Sequence, residues 1–148
     1  MAFDELLWNC LIPGAASAKE QGIGIALERS GATVLFFRCD CDEFRSEFDV
    51  PRAQVCDLLV YYCRDPKSPV LLFVELKGSD LLRAVAQIRS AQATLKSHIS
   101  ERHWKRAKIK ALIVTPNSVP PKRQGIPKEV EVRQCSKHKN LDISEFFR

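Results

Sequence analysis

The sequence predicts an α/β fold: a mixed central β-sheet flanked by helices, with a helix on each face. Three observations lead there. Two apolar runs, residues 55–62 and 70–76, are separated by the turn-forming stretch Asp65-Pro66-Lys67-Ser68-Pro69, which predicts an antiparallel pair of core strands. Next, Leu81, Val85, Ile88, Leu95 and Ile99, with Ala84 and Ala91 beside them, repeat at helical spacing over residues 80–99. Finally, Ala111-Leu112-Ile113-Val114 forms a third buried run within 108–115, ended by Pro116. A helix that carries the chain from a central strand to a later one gives a sheet with parallel and antiparallel members.

The remaining elements follow in chain order. Residues 3–12 read as a short helix, with Asp4 and Glu5 in the first turn, where negative charge is favoured, and Pro13-Gly14 as its stop. Ser17 and Glu20 have capping-box spacing, but Gly22 and Gly24 argue against a long helix. Ile23, Ile25 and Leu27 instead alternate like a strand, which Ser30-Gly31 turns into a second strand over 33–39 as a hairpin. Residues 40–53 are polar and broken by Pro51, and are expected to be a loop or a short edge element. Ser79 or Asp80 caps the long helix. Residues 116–128, with four prolines, form a basic loop; 130–134 form an edge strand and 142–147 a last helical turn.

At 148 residues, 45% apolar and 28% charged, the chain has the composition of a folded globular protein and is expected to form one domain. It holds no apolar run near the roughly 20 residues that cross a bilayer. Its first residues carry no basic segment, so a cytoplasmic location and reduced cysteines are expected. The net charge of +5 is uneven: residues 1–95 hold 10 Lys and Arg against 13 Asp and Glu, while residues 96–148 hold 13 against 5. The later part is a candidate polyanion-binding surface. Lys105 and Arg106 after the long helix, and Lys122, Arg123 and Lys128 in the proline-rich loop, are its candidate phosphate contacts.

Glu75-Leu76-Lys77 carries the most chemistry. Side chains two apart on a strand share a face, so a carboxylate and an ammonium leave this core strand together. Two charges at the mouth of a buried strand are costly unless paired or bound. Asp57 interrupts the preceding apolar run. If the two strands are neighbours, Asp57 and Glu75 meet over one divalent cation with Lys77 beside it. Mg²⁺ takes oxygen ligands and keeps several waters, leaving room for a phosphate and an attacking water. Gln87, two turns into the helix, is placed to hold a phosphate or a water.

In these features the chain resembles the PD-(D/E)XK nuclease superfamily, over roughly its central half: the Asp57 strand, the Glu75-Leu76-Lys77 strand, the following helix and the strand at 109–115. The resemblance implies a restriction endonuclease-like α-β-β-β-α-β core and Mg²⁺- or Mn²⁺-dependent hydrolysis of nucleic acid, DNA favoured over RNA. It implies that Asp57, Glu75 and the Leu76 carbonyl bind the metal and that Lys77 orients or activates the water. An acidic residue of the first helix sometimes joins; Glu5 is the candidate, with Glu28 as alternative. Cleavage of a duplex further implies a homodimer. Cys56 stands where the family often has Pro, and Ala91 where some members have Tyr after a Gln. The same residues also fit a non-catalytic nucleic-acid-binding module or a protein-interaction domain. Cys39-x-Cys41 and Cys135 with His138 lack the usual zinc spacing.

Overall fold

The computed structural model describes residues 3–14, 17–20, 22–28, 31–76, 80–119 and 125–148, with only the backbone of Asp4 and Glu20. In chain order the elements are α1 (Phe3–Leu6), β1 (Leu11–Ile12), β2 (Ser17–Glu20), β3 (Ile23–Ala26), β4 (Thr33–Arg38), α2 (Asp42–Glu47), β5 (Leu58–Cys63), β6 (Val70–Leu76), α3 (Leu81–His98), α4 (Glu101–Arg106), β7 (Lys108–Thr115), β8 (Val130–Gln134) and β9 (Asn140–Asp142). Short 3-10 turns cover Trp8–Cys10 and Ser144–Phe147.

A six-stranded mixed sheet runs in the order β1-β4-β5-β6-β7-β8. Its first pairings are antiparallel, as expected for β5 and β6, and β6-β7 and β7-β8 are parallel. β6 lies centrally and all seven of its residues are buried. The parallel step from β6 to β7 is made by α3. Asp80 caps that helix, its carboxylate accepting the Arg83 N–H at 3.1 Å.

The two faces of the sheet are covered differently from the expectation. Phe37, Leu59, Leu71, Phe73 and Ile113 pack on one face against α1, α2 and α3, through Leu6, Phe44, Phe48, Val85, Ile88 and Leu95. Phe36, Leu58, Val60, Leu72, Val74 and Leu112 pack on the other against Ile23, Ile25, Ile143 and Phe146. Among the described residues, the α-helices therefore occupy one face only. The second face is covered by a small sheet, β2-β3-β9, and the C-terminal 3-10 turn. Gly24 makes this cover possible: a Cβ there would collide with the Ala18 carbonyl, 2.8 Å away, and with the Asn140 side chain.

Three local expectations are corrected. The helix over 3–12 ends at Leu6, and Leu11 and Ile12 pair with Phe37 and Phe36 as a short edge strand. β3 and β4 form no hairpin; β3 pairs with β2 and β9 while β4 joins the main sheet, because two apolar β-faces need two separate partners. Residues 40–53 contain α2, whose Cys41 thiol caps the Phe44 N–H and whose Phe44 and Phe48 bury against the core. Cysteine is not among the usual capping residues, so the helix start was hidden. The long helix runs as expected, ending at His98, and beyond it a second cap, Ser100 Oγ accepting the His103 N–H at 3.3 Å, starts the additional helix α4, which carries His103 and Trp104. No helix among the described residues is long and apolar enough to cross a membrane.

Candidate active site

The carboxyl ends of β4, β6, β7 and β8 and the amino end of β5 lie at the same pole of the sheet, as their registers require. Asp57 and Glu75 are at that pole. Leu58 is paired with Val74, and continuing this antiparallel register by one residue sets Asp57 opposite Glu75. Both fall on the helical face by alternation: Leu59 and Phe73, two residues inward from each, pack there. The carboxyls touch. Asp57 Oδ2 also accepts the Leu76 N–H at 2.8 Å, which ties the two strands across the site.

The pair is electrostatically strained. Glu75 is only 9% exposed. Burial, and then the charge of and hydrogen bond with Asp57, push its carboxyl from 4.5 up to about 10; Cys56 and Asp40 add to the rise. Glu75 therefore keeps its proton at neutral pH when no cation is present. Its Oε2 is buried without a hydrogen-bond partner among the described residues. An orphaned carboxyl oxygen in such a position is rare in a folded protein.

The surroundings come from three neighbouring segments. The Cys39 N–H donates to the Asp57 carbonyl at 2.9 Å, fixing the end of β4 beside β5. Asp40 follows, and Arg45 holds its carboxylate at 2.5 Å while donating through Nε to the Ala53 carbonyl at 3.0 Å. On the helical side, the Cys56 N–H donates to the Gln87 carbonyl at 3.2 Å. Gln87 thus lies one residue from Asp57, and α3 forms a wall of the site. Cys39 and Cys56 are fully buried, and the hydrogen bond between their thiols, followed by burial, holds Cys39 well above the ordinary thiol range.

The other expected site residues are distributed as follows. Leu76 is at the pole, its N–H bound to Asp57. Lys77, Lys122 and Arg123 lie outside the described residues. Glu5 is exposed on α1; the acidic groups acting on Glu75 are Asp57 and Asp40. Glu28 lines a cleft with Tyr62, Arg64 and Arg148, at the far end of β5. Lys105 and Arg106 precede β7 and so sit at the opposite pole from the carboxylates. There Lys105 pairs with Glu101 at 2.6 Å and Arg106 donates to the Pro66 carbonyl at 3.0 Å. Lys128 precedes β8, also at that pole, in a cleft with Lys110, Glu131 and Arg133.

Asp40 was missed because nothing around it in the sequence marks a strand end facing another strand's carboxylate. The cysteine pairs weighed for zinc are separated by the sheet: Cys39 packs on the helical face and Cys135 on the other. Among the described residues no group of three or more His, Cys, Asp or Glu side chains gathers to hold a metal. Among the described residues, the Asp57 and Glu75 carboxyls touch at the pole, with Asp40 adding negative charge nearby. Compared with known proteins, the chain matches no family model, no curated protein and no solved structure.

Proposed function

We propose that this protein is a divalent-cation-dependent phosphodiesterase acting on nucleic acid, with DNA as the favoured substrate, on a restriction endonuclease-like core. One observation carries the reading. Two carboxyls from adjacent strands touch on one face, one of them forced to keep a proton and left with a buried, unpartnered oxygen. Such an arrangement is unfavourable by itself and becomes favourable when a cation replaces the proton.

Mg²⁺ or Mn²⁺ fits this donor set, which is all oxygen and small enough to leave coordination positions for water and phosphate. Asp57, Glu75 and the Leu76 carbonyl would hold it, and the ion would supply charge for the phosphate oxygens and acidity for a water. Asp57 does two jobs, since it also fixes the Leu76 backbone. Asp40 supplies further negative charge at the pole and Arg45 moderates it. Gln87 supports the amino side of Asp57 through its carbonyl. The reading gives Lys77 the task of orienting the attacking water, from its place two residues after Glu75 in the sequence. A homodimer would bring two such sites to a duplex.

The test is a cleavage assay on plasmid, linear, branched and single-stranded DNA with Mg²⁺ or Mn²⁺. Wild-type cleavage abolished in Asp57→Ala and Glu75→Ala, with folding retained, is the expected result. Absence of wild-type cleavage on every substrate, or full activity in both variants, overturns the proposal.

A further inference from the structure

We infer that the pole of the sheet opposite the carboxylate pair is a second binding surface, which holds the phosphate backbone of a nucleic acid. The binding stands without the phosphodiesterase reading; its consequence for substrate length rests on that reading. Residues 64–69, 96–108 and 127–129 lie at this pole, as the turn from β5 to β6, the return from α3 to β7 and the approach to β8. They hold eight Lys and Arg against three Asp and Glu. Arg102, Lys105 and Arg106 stand three and four apart on α4, so they share one stripe, and all three are exposed. Arg106 donates to the Pro66 carbonyl at 3.0 Å, and the Lys108 N–H to the Pro69 carbonyl at 2.8 Å. These bonds seat the turn that carries exposed Lys67 against the end of α4.

Fixed cations gathered on one surface attract a polyanion and release its counterions. Lys105 meets Glu101 at 2.6 Å, but its side chain is 72% exposed, so the pair is screened and yields readily to a phosphate. Trp104 on the same helix is partly exposed, and a base can stack on its ring. An anionic membrane would ask for apolar side chains to insert beside the cations. The exposed large apolar residues among those described are Trp8 and Leu82. Trp8 precedes β1, whose Leu11 pairs with Phe37 near the carboxyl end of β4, and Leu82 opens α3, so both belong to the carboxylate pole. Seven residues of β6 separate the poles, about 20 Å at a rise of roughly 3.3 Å each. Each strand of a duplex advances about 3.4 Å per phosphate, so a substrate cut at the carboxylates must extend at least about six base pairs past the cut to touch both poles.

The experiment follows the fluorescence anisotropy of a labelled DNA duplex of about 30 base pairs, in EDTA, over a series of salt concentrations. Wild type is compared with a triple variant of this pole, Arg102→Gln with Lys105→Gln and Lys108→Gln. The control removes the same charge from exposed positions elsewhere, Lys19→Gln with Arg52→Gln and Lys137→Gln. Thermal unfolding confirms each fold. The pole variant should lose about two to three units of salt slope and bind at least about tenfold more weakly near physiological salt, while the control loses less than about one unit. Equal losses in the two variants, or wild type that does not bind the duplex, overturn the surface. Wild type that leaves the duplex free but binds phosphatidylserine vesicles overturns it in favour of a membrane. Because binding is read without a divalent cation, a protein that binds as expected yet never cleaves with Mg²⁺ overturns the phosphodiesterase reading alone.

Discussion

Replacing Glu75 with Gln should make the cation-free protein more stable, and increasingly so as pH rises. Glu75 has a folded-state pKa raised from 4.5 to about 10 by burial and by Asp57. Between those values the folded state holds a proton that the unfolded chain has released. Stability conferred by that proton is fully present below pH 4.5 and is lost progressively as pH climbs toward 10. Each pH unit in the window is worth about 1.4 kcal/mol. From 4.5 to neutrality that is at most about 3.4 kcal/mol, and solvent at the open pole of the sheet brings the working figure to about 1–2 kcal/mol. Gln matches the shape of the protonated acid and can donate to Asp57, but it does not titrate. Urea unfolding in a chelator, from pH 4.5 to 9, should show Glu75→Gln close to wild type at the acid end, about 1–2 kcal/mol more stable near pH 7 and more so at higher pH. Parallel pH curves for the two proteins would show that the buried acid is not held protonated, and the electrostatic basis of the site would fall.

Other outcomes follow from the same contacts. Mg²⁺ should bind wild type with release of about one proton and tighten by up to tenfold per pH unit between 6 and 9, read by calorimetry in two buffers of different ionisation heat. Asp57→Ala should cost about 1–3 kcal/mol, because the Leu76 N–H loses its acceptor, and should abolish Mg²⁺ stabilisation in a thermal shift assay. Ile88→Ala, at a fully buried position between α3 and the sheet, should cost about 2–5 kcal/mol without altering pH dependence. Gly24→Ala should destabilise by about 1–3 kcal/mol through the clash with the Ala18 carbonyl, and hydrogen exchange should show the loss concentrated in β2, β3 and β9.

Much of the main sheet was legible because its signals are local. Unbroken apolar runs specify β6 and the core of β7, and a capped helical repeat specifies α3, so the observed bounds differ from expectation by a residue or two at most. What covers the second face was not legible. β3 is four residues long and finds its partners in β2, just before it, and in β9, more than a hundred residues later. Nothing in its alternation says that the neighbouring β4 belongs to another sheet. α2 escaped notice for a chemical reason, since its cap is a thiol.

The site divides in the same way. Asp57 and Glu75 could be brought together from sequence because register does the work: once β5 and β6 are antiparallel around a short turn, their positions across the pair are nearly determined. Phosphate-binding groups obey no such rule, since they depend on which pole each helix end reaches. Counting charge along the chain pointed to residues 96–148, yet Lys105, Arg106 and Lys128 precede strands whose other ends approach the carboxylates. A cation contributes to a site only within a few ångströms of it, and beyond the Debye length of about 8 Å an exposed charge is largely screened at physiological salt. Pole, rather than net charge, therefore decides which basic residues serve the carboxylate pair.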